Sequence, residues 1–445
     1  MTKCIPIIQT LYLPDSSGDA MNENLGFLSP EFNWMGWALS CLQLKQYYPN
    51  VQLYTNGRGY DVLINRLKLP YNDSMIVLND LEFPPQLWAY PKLYVYSLQT
   101  GPFIHVDGDA FFWEPLGNEL FNKPLIAQNM EVNEQYYRAV IQQMSGCDLL
   151  LPETLSAYIK SGMPLAAYNA GIIGGRDVDF FRAYTAEAFN FLQTNWEKLK
   201  QVSQPQFNMV FEQVLFFCMA RQRQQEVSCY IKQPLLDMTY PGFASFADVP
   251  YHTKYIHLMG SFKTNVECCY MLAKRLRQNY PEYYNRIIEE CKKAGTDLFL
   301  NCYKDANKTL ITNGKLAADE IDWHKLYDKE KEQTEKIEKA FESEGGLSAT
   351  RFRTNRLLKS PLNREESNMY DAPDSYSQQF KNVDCDQLDQ ILITALKRAK
   401  RFDHLLKNIS EYFEKKDIDD DSSSFSKLIS LRLRSGCFNN VFEIV

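Results

Sequence analysis

The chain has 445 residues, 45% hydrophobic and 23% charged, with a formal net charge of −7. That is the make-up of a globular protein long enough for two or three domains, and its acidic balance argues against a general nucleic-acid binder. The 11 cysteines include no Cys-x-x-Cys pair, so neither a zinc site nor a secreted disulfide frame is expected, and a reduced, cytoplasmic chain is the simpler reading. The N-terminal apolar run is interrupted by Pro6 and Gln9 and does not read as a signal peptide. No run of about 18–20 apolar residues predicts an integral membrane segment. The 27 Tyr, 27 Phe and 6 Trp suit carbohydrate sites, whose ligands have flat apolar faces, and equally suit a Tyr-rich core and surface.

In chain order, the apolar, β-branched run 4–13 predicts a buried first strand. Ser29 as N-cap and Pro30 at N1 open a helix over 31–47. Residues 51–55 read as a second strand stopped by Asn56-Gly57, 61–67 as a short helix and 75–78 as a third strand. A helix over 90–99 is broken by Gly101-Pro102. The fourth strand, 103–106, runs into Asp107-Gly108-Asp109. This alternation predicts an α/β fold with an open, mostly parallel sheet, and ligands of such sheets bind at the carboxyl ends of the strands.

Further strands are predicted at 124–128, 168–173, 228–231 and 255–257, and helices at 178–199, 207–223 and 265–293. The composition then shifts. Residues 318–345 are charge-dense and predict an exposed helix anchored by Trp323, Leu326, Ile337 and Phe341. Residues 346–384, rich in Ser, Asn, Pro, Asp and Arg, read as a linker. Residues 386–413 recover a helical period, and a polar break at 417–424 precedes a basic-apolar end. The expected division is a main domain over 1–316, a charged helix and linker over 317–385, and a helical accessory region over 386–445.

The acidic loop carries the chemistry. Asp107 and Asp109, two residues apart at a strand end, can both face a divalent cation, and oxygen ligands suit Mg²⁺ or Mn²⁺, which bridge diphosphates. Such a metal assists departure of a nucleotide. An Asp-Gly pair is also an ordinary turn, so context decides. His105, inside the strand, reads as a packed residue rather than a ligand, and Trp113 as core.

The stretch 103–116, FIHVDGDAFFWEPL, resembles the Asp-x-Asp strand of GT-A fold glycosyltransferases. Three further segments extend the resemblance toward the retaining glycogenin and lipopolysaccharide galactosyltransferase family, over about residues 4–265. YNAGIIGG at 168–175 looks like its Asn-x-Gly strand. FNMVFEQVLF at 207–216 resembles its Asp-Gln segment, with Glu212 in place of Asp and Gln213 matching. HLMGSFK at 257–263 matches His-x-x-Gly-x-x-Lys, although Thr264-Asn265 stand where the family has Pro-Trp.

The resemblance implies a GT-A catalytic domain over 1–316, a Rossmann-like mixed sheet flanked by helices. It implies Asp107, Asp109 and His257 as metal ligands, with Mn²⁺ or Mg²⁺ as cofactor. Donor-binding residues would be Asp107, Gly171, Gly260 and Lys263, joined by Lys92 near the donor phosphate or sugar and by Thr55 at the end of the second strand. Gln213, Glu212 and Asn169 would flank the anomeric centre. The expected function is a hexosyltransferase using a nucleotide-diphosphate sugar, UDP by default, with retention. The acceptor would be a saccharide, a lipid-linked sugar or a peptide. Two alternatives stay open: a non-catalytic nucleotide-sugar or partner-binding protein, and a phosphatase of the haloacid-dehalogenase type. The C-terminal region would recognise an acceptor, mediate self-association as a homo-oligomer, or pack back on the main domain.

Overall fold

The structure, a computed structural model, describes residues 5–200, 206–236, 240–246, 248–250, 253–299, 323–342, 344–359, 369–374, 379–414 and 422–445. It is mixed α/β, with a central mixed sheet flanked by helices. The chain forms two compact units. Unit 1 comprises Met1–Ala244, Tyr255–Lys263 and Arg286–Thr296, and unit 2 comprises Ser245–Lys254, Thr264–Asn285 and Asp297–Val445. This division is not the linear one read from composition, because the segments around 250 and 270 belong with the C-terminal region. Among the described residues no helix is long and apolar enough to cross a membrane.

Unit 1 is built on a seven-stranded sheet. Its strands are β1 (Ile7–Leu11), β2 (Val51–Thr55), β3 (Asp73–Ile76), β4 (Phe103–Val106), β6 (Leu125–Ala127), β9 (Ile172–Gly175) and β10 (Val227–Cys229), in the order β10-β6-β9-β4-β1-β2-β3. β1, β2, β3 and β4 run parallel, while β9 enters antiparallel between β4 and β6. β4 shows why its sequence is continuously apolar. Phe103 packs with one core, against Tyr96 and Phe181, and its neighbours Ile104 and Val106 pack with the core on the other face. A strand covered on both faces has no polar side to show. The helix Pro30–Tyr47 follows the same logic, with every residue from 31 to 44 buried.

Small ladders finish the site end. β5 (Ala110–Phe112) pairs antiparallel with β12 (Tyr255–His257), and β7 (Met130–Val132) lies between β8 (Ala167–Tyr168) and β11 (Leu235–Leu236). These short strands correct the expectation of one strand over 168–173. β8 and β9 belong to different sheets, and residues 169–171 cross between them. The third strand sits at Asp73–Ile76 rather than 75–78, because the Val77 and Leu78 amides leave the ladder and both donate to the Thr55 carbonyl.

The helix expected over 178–199 breaks after Thr194, where Asn195 donates to Leu150 O and accepts from Leu150 N–H. The tail over 265–293 is two helices, Val266–Asn279 and Pro281–Lys293, since proline has no N–H to donate and cannot continue the first helix.

In unit 2 the expected linker carries structure. Glu344–Ala349 is helical, Arg351–Thr354 pairs with Phe442–Ile444 and with Lys400–Arg401, and Met369–Asp374 pairs with Gln379–Asp384. Phe352 is fully buried, against Phe341 and Phe402. The helical period over 386–413 resolves into Gln387–Ala395 and Phe402–Glu414. The charged helix is Trp323–Phe341, with Ile337 and Phe341 buried. Residues 318–322 and the side chains of Trp323 and Leu326 lie outside the described residues, as does most of the 417–424 break. The basic-apolar end forms the helix Ser422–Phe438 and the strand Phe442–Ile444.

Candidate functional site

Backbone hydrogen bonds assemble the site at the carboxyl end of β4. The Asp107 amide donates to Gly171 O at 3.0 Å, and the Leu258 amide to Asp109 O at 3.0 Å. The β5–β12 ladder, with His257 opposite Ala110, continues the second link. Gln128 and Asn169 are tied by Gln128 N–H to Asn169 O at 3.1 Å. Thus four segments far apart in sequence meet at the acidic loop.

Asp107, Asp109 and His257 each offer one ligand atom, and these atoms lie within 4.8 Å of one another. Two carboxylates and an imidazole are donors that suit Mn²⁺ or Mg²⁺, so the residues present fit a divalent cation. His257 Nε2 lies 3.3 Å from Asp109 Oδ1, and Lys263 Nζ lies 2.7 Å from Asp109 Oδ2. Burial pushes the Asp109 carboxyl up, but Lys263 and His257 outweigh it and hold the group well below the usual carboxylate range.

The imidazole is held from behind. Its Nδ1 is 2.7 Å from Gln128 Oε1, which also accepts from the Tyr255 hydroxyl at 2.6 Å. With Nδ1–H donated to that amide oxygen, Nε2 is the ring atom turned toward the carboxylates, the orientation a ligand histidine needs. Gly171 is required by this packing, since a Cβ there would meet Gln128 Oε1 at 2.1 Å and the His257 ring at 2.4 Å. Gly260 is required by conformation: its φ of +54° opens the turn that carries Lys263, and a Cβ there would meet nothing within 4 Å.

The other carboxylate has a different partner. Lys92, from the helix Tyr90–Ser97, lies 3.0 Å from Asp107 Oδ1 and 2.9 Å from Glu212 Oε1. Glu212 is fully buried in a π-helical turn, Val210–Val214, inside the helix over 207–222. The wider turn is a feature that recurs at functional sites. Burial pushes the Glu212 carboxyl up, and Lys92 opposes that shift. Glu212 therefore reaches the site through Lys92 rather than through an exposed surface. Gln213 is 8% exposed, and its Oε1 is buried without a hydrogen-bond partner among the described residues. The Trp88 ring centroid lies 5.7 Å from Lys92 Nζ, and Trp88 is half-exposed.

Asn169 donates to Glu131 Oε1 at 2.7 Å and accepts from the Gly171 amide at 2.9 Å. Glu131 also accepts from the Tyr137 hydroxyl at 2.9 Å and from Tyr240. Glu131, Gln128 and Tyr255 were not singled out in the sequence, where only their nearness to an Asn and a His could have drawn notice. Thr55 stands apart. It is fully buried at the end of β2, its side chain lies against Gly59, and it makes no hydrogen bond to the cluster among the described residues. His105 is packed in the strand, with Nε2 3.1 Å from Thr10 Oγ1 and the ring edge-on to Tyr96. Burial, reinforced by Lys92, pushes its pKa well down, which keeps it neutral.

Residues 5–290, which carry every residue of this cluster, match the model of a family of unknown function, DUF6734. No curated protein matches the chain. The match spans well over half of the sequence, and the chain belongs to the DUF6734 family.

Proposed function

We propose that this chain is a metal-dependent glycosyltransferase of GT-A fold, moving a hexose from a nucleotide-diphosphate sugar, by default a UDP-sugar, to a saccharide, lipid-linked or peptide acceptor. Transfer with retention follows from the motif resemblance. The observation that carries the reading is the convergence of Asp107, Asp109 and His257, with ligand atoms within 4.8 Å of one another, beside two lysines.

Bound to these three side chains, Mn²⁺ or Mg²⁺ would supply positive charge opposite a diphosphate leaving group. The chain's own residues do the rest. Lys263, on an open turn and a quarter exposed, offers a point charge to a phosphate oxygen. Lys92 holds Asp107 in place and keeps a second positive charge in the site. Asn169, fixed by Glu131, and Gln213, with an uncommitted amide oxygen, orient sugar hydroxyls. The buried face of the helix Tyr90–Ser97 excludes water from the Lys92 side.

The test is nucleotide release from a panel of UDP-, GDP- and other nucleotide sugars with Mn²⁺, by wild type and Asp109→Asn. Metal-dependent release from one donor, lost in the variant, supports the reading and names the sugar. No release from any donor, with no metal-dependent thermal stabilisation by any nucleotide, contradicts it.

A further inference from the structure

The helix Tyr90–Ser97 has two different faces. Lys92, Val95 and Tyr96 are buried toward the acidic cluster and the core. On the opposite face, at helical i, i+4, i+7 spacing, Tyr90, Tyr94 and Ser97 line a separate cleft of about 480 Å³, closed on its other side by the helix Val178–Thr194 and by Trp196. That volume falls within the about 300–1,000 Å³ of small-ligand sites. None of its lining residues belongs to the acidic cluster.

Its chemistry is specific. Four aromatic rings, those of Tyr90, Tyr94, Phe189 and Trp196, supply the walls. Tyr90 anchors them, with ring centroids 5.2 Å from Phe189 and 6.1 Å from Trp196. Between the rings lie polar groups of three kinds. The indole N–H of Trp196 and the guanidinium of Arg182, which already pairs with Asp179, can only donate, whereas the Gln193 amide both donates and accepts. Two hydroxyls have their protons already committed, Ser97 Oγ donating to Tyr94 O at 2.7 Å and Thr185 Oγ1 to Phe181 O at 2.9 Å. Toward the cleft, Ser97 Oγ can then only accept, while Thr185, 1% exposed, keeps its hydroxyl on its own helix.

A ligand that fills this cleft must therefore present flat apolar faces and, around their edge, groups that both donate and accept. A lipid chain would leave the indole and the Gln193 amide without partners, which costs free energy. A polynucleotide would need more cations than Arg182, the lone charged residue among the lining groups. A proline-rich peptide, which aromatic clefts also take, offers carbonyl oxygens but no N–H at its prolines, so the Gln193 amide oxygen and the Ser97 hydroxyl would go unmet. Hydroxyls arrayed around an apolar ring face meet every condition. We propose that this cleft is a second binding site, for a saccharide, distinct from the Asp107–Asp109–His257 cluster.

The experiment is a glycan array with the full-length protein, followed by calorimetric titration of the best binder against wild type, Trp196→Ala, Trp196→Phe, Tyr94→Ala and Asp109→Asn. A decaproline peptide is titrated in parallel, and circular dichroism monitors folding. The expected result is a saccharide that Asp109→Asn binds as wild type does. Trp196→Ala and Tyr94→Ala should each weaken binding by about tenfold, the scale of one lost ring contact, and Trp196→Phe should retain most of it. Tyr94→Ala keeps the test decisive if Trp196→Ala does not fold. Four results would overturn the proposal: no saccharide bound, binding lost in Asp109→Asn, binding unchanged by both ring deletions, or decaproline bound in preference to every saccharide.

Discussion

The two carboxylates of the acidic loop are two residues apart and each holds a lysine, yet the two pairs are built differently. Lys92 is 8% exposed and lies between Asp107 and a fully buried Glu212. Lys263 is a quarter exposed, on a short turn opened by Gly260, and it shares Asp109 with His257. The first is a fixed charge network whose members cannot leave without stranding one another. The second is a charge that can be drawn away from its carboxylate by a stronger anion. One cluster thus has a buried, mutually locked side and a side more open to solvent, which a glance at two Asp–Lys pairs would not reveal.

The sharpest break of this comparison is Lys92→Met. It leaves Glu212 buried and uncompensated, and removing one partner of a buried pair costs about 3–5 kcal/mol. Chemical denaturation should show that loss, and Lys92→Met combined with Glu212→Gln should recover most of it. Lys263→Met should cost less than Lys92→Met does, because Lys263 is a quarter exposed and His257 still faces Asp109, while removing phosphate-dependent binding. Equal destabilisation by the two lysine changes would erase the distinction.

Gly171→Ala tests the backing of His257. The added Cβ would collide with Gln128 and the imidazole, an overpacking cost of about 1–3 kcal/mol. Thermal melts should show that cost together with loss of any Mn²⁺-induced rise in Tm. A variant that keeps the rise would mean that His257 is not a ligand.

The smallest expected effect lies outside the site. Arg66 pairs with Asp19 at 2.6 Å and Glu290 at 2.9 Å. Burial pushes the Asp19 carboxyl up, but Arg66 and the Met21 amide bring it net below its ordinary value. Glu290 is lowered by hydrogen bonds from Lys293 and Arg66. Depressed carboxylates stabilise the fold above their unfolded pKa values and lose that contribution as pH falls through the folded ones. Arg66→Ala should therefore lower Tm slightly at pH 7, with the difference from wild type vanishing in acid. A difference that grows in acid would contradict the assignment.

The separation of rigid from open was only partly legible in the sequence. Asp107, Asp109, His257 and Lys263 stand in short motifs whose chemistry is local, so their types and spacing were enough to single them out. The partners that give each its character are tertiary. Glu212 stood out as a substituted motif residue and Lys92 as a charge near the loop, but their pairing exists only once two helices pack. Gln128 just follows β6 and Glu131 lies in β7, with no motif to mark either. The α/β alternation was readable from apolar periodicity, whereas the crossing at 169–171 was hidden because two short strands of different sheets abut in one apolar run. In the C-terminal region, Arg351–Thr354 pairs with Phe442–Ile444, and a polar strand whose partner is that remote carries no local signal.

The central claim is that Asp107, Asp109 and His257 together hold a divalent cation that carries a nucleotide diphosphate. The most direct measurement is an electron paramagnetic resonance titration of Mn²⁺ against wild type, Asp109→Asn and His257→Ala, with and without UDP. The account predicts stoichiometric Mn²⁺ binding by wild type, tightened by UDP and lost in both variants. Absence of binding by wild type, or equal binding by the variants, would contradict it.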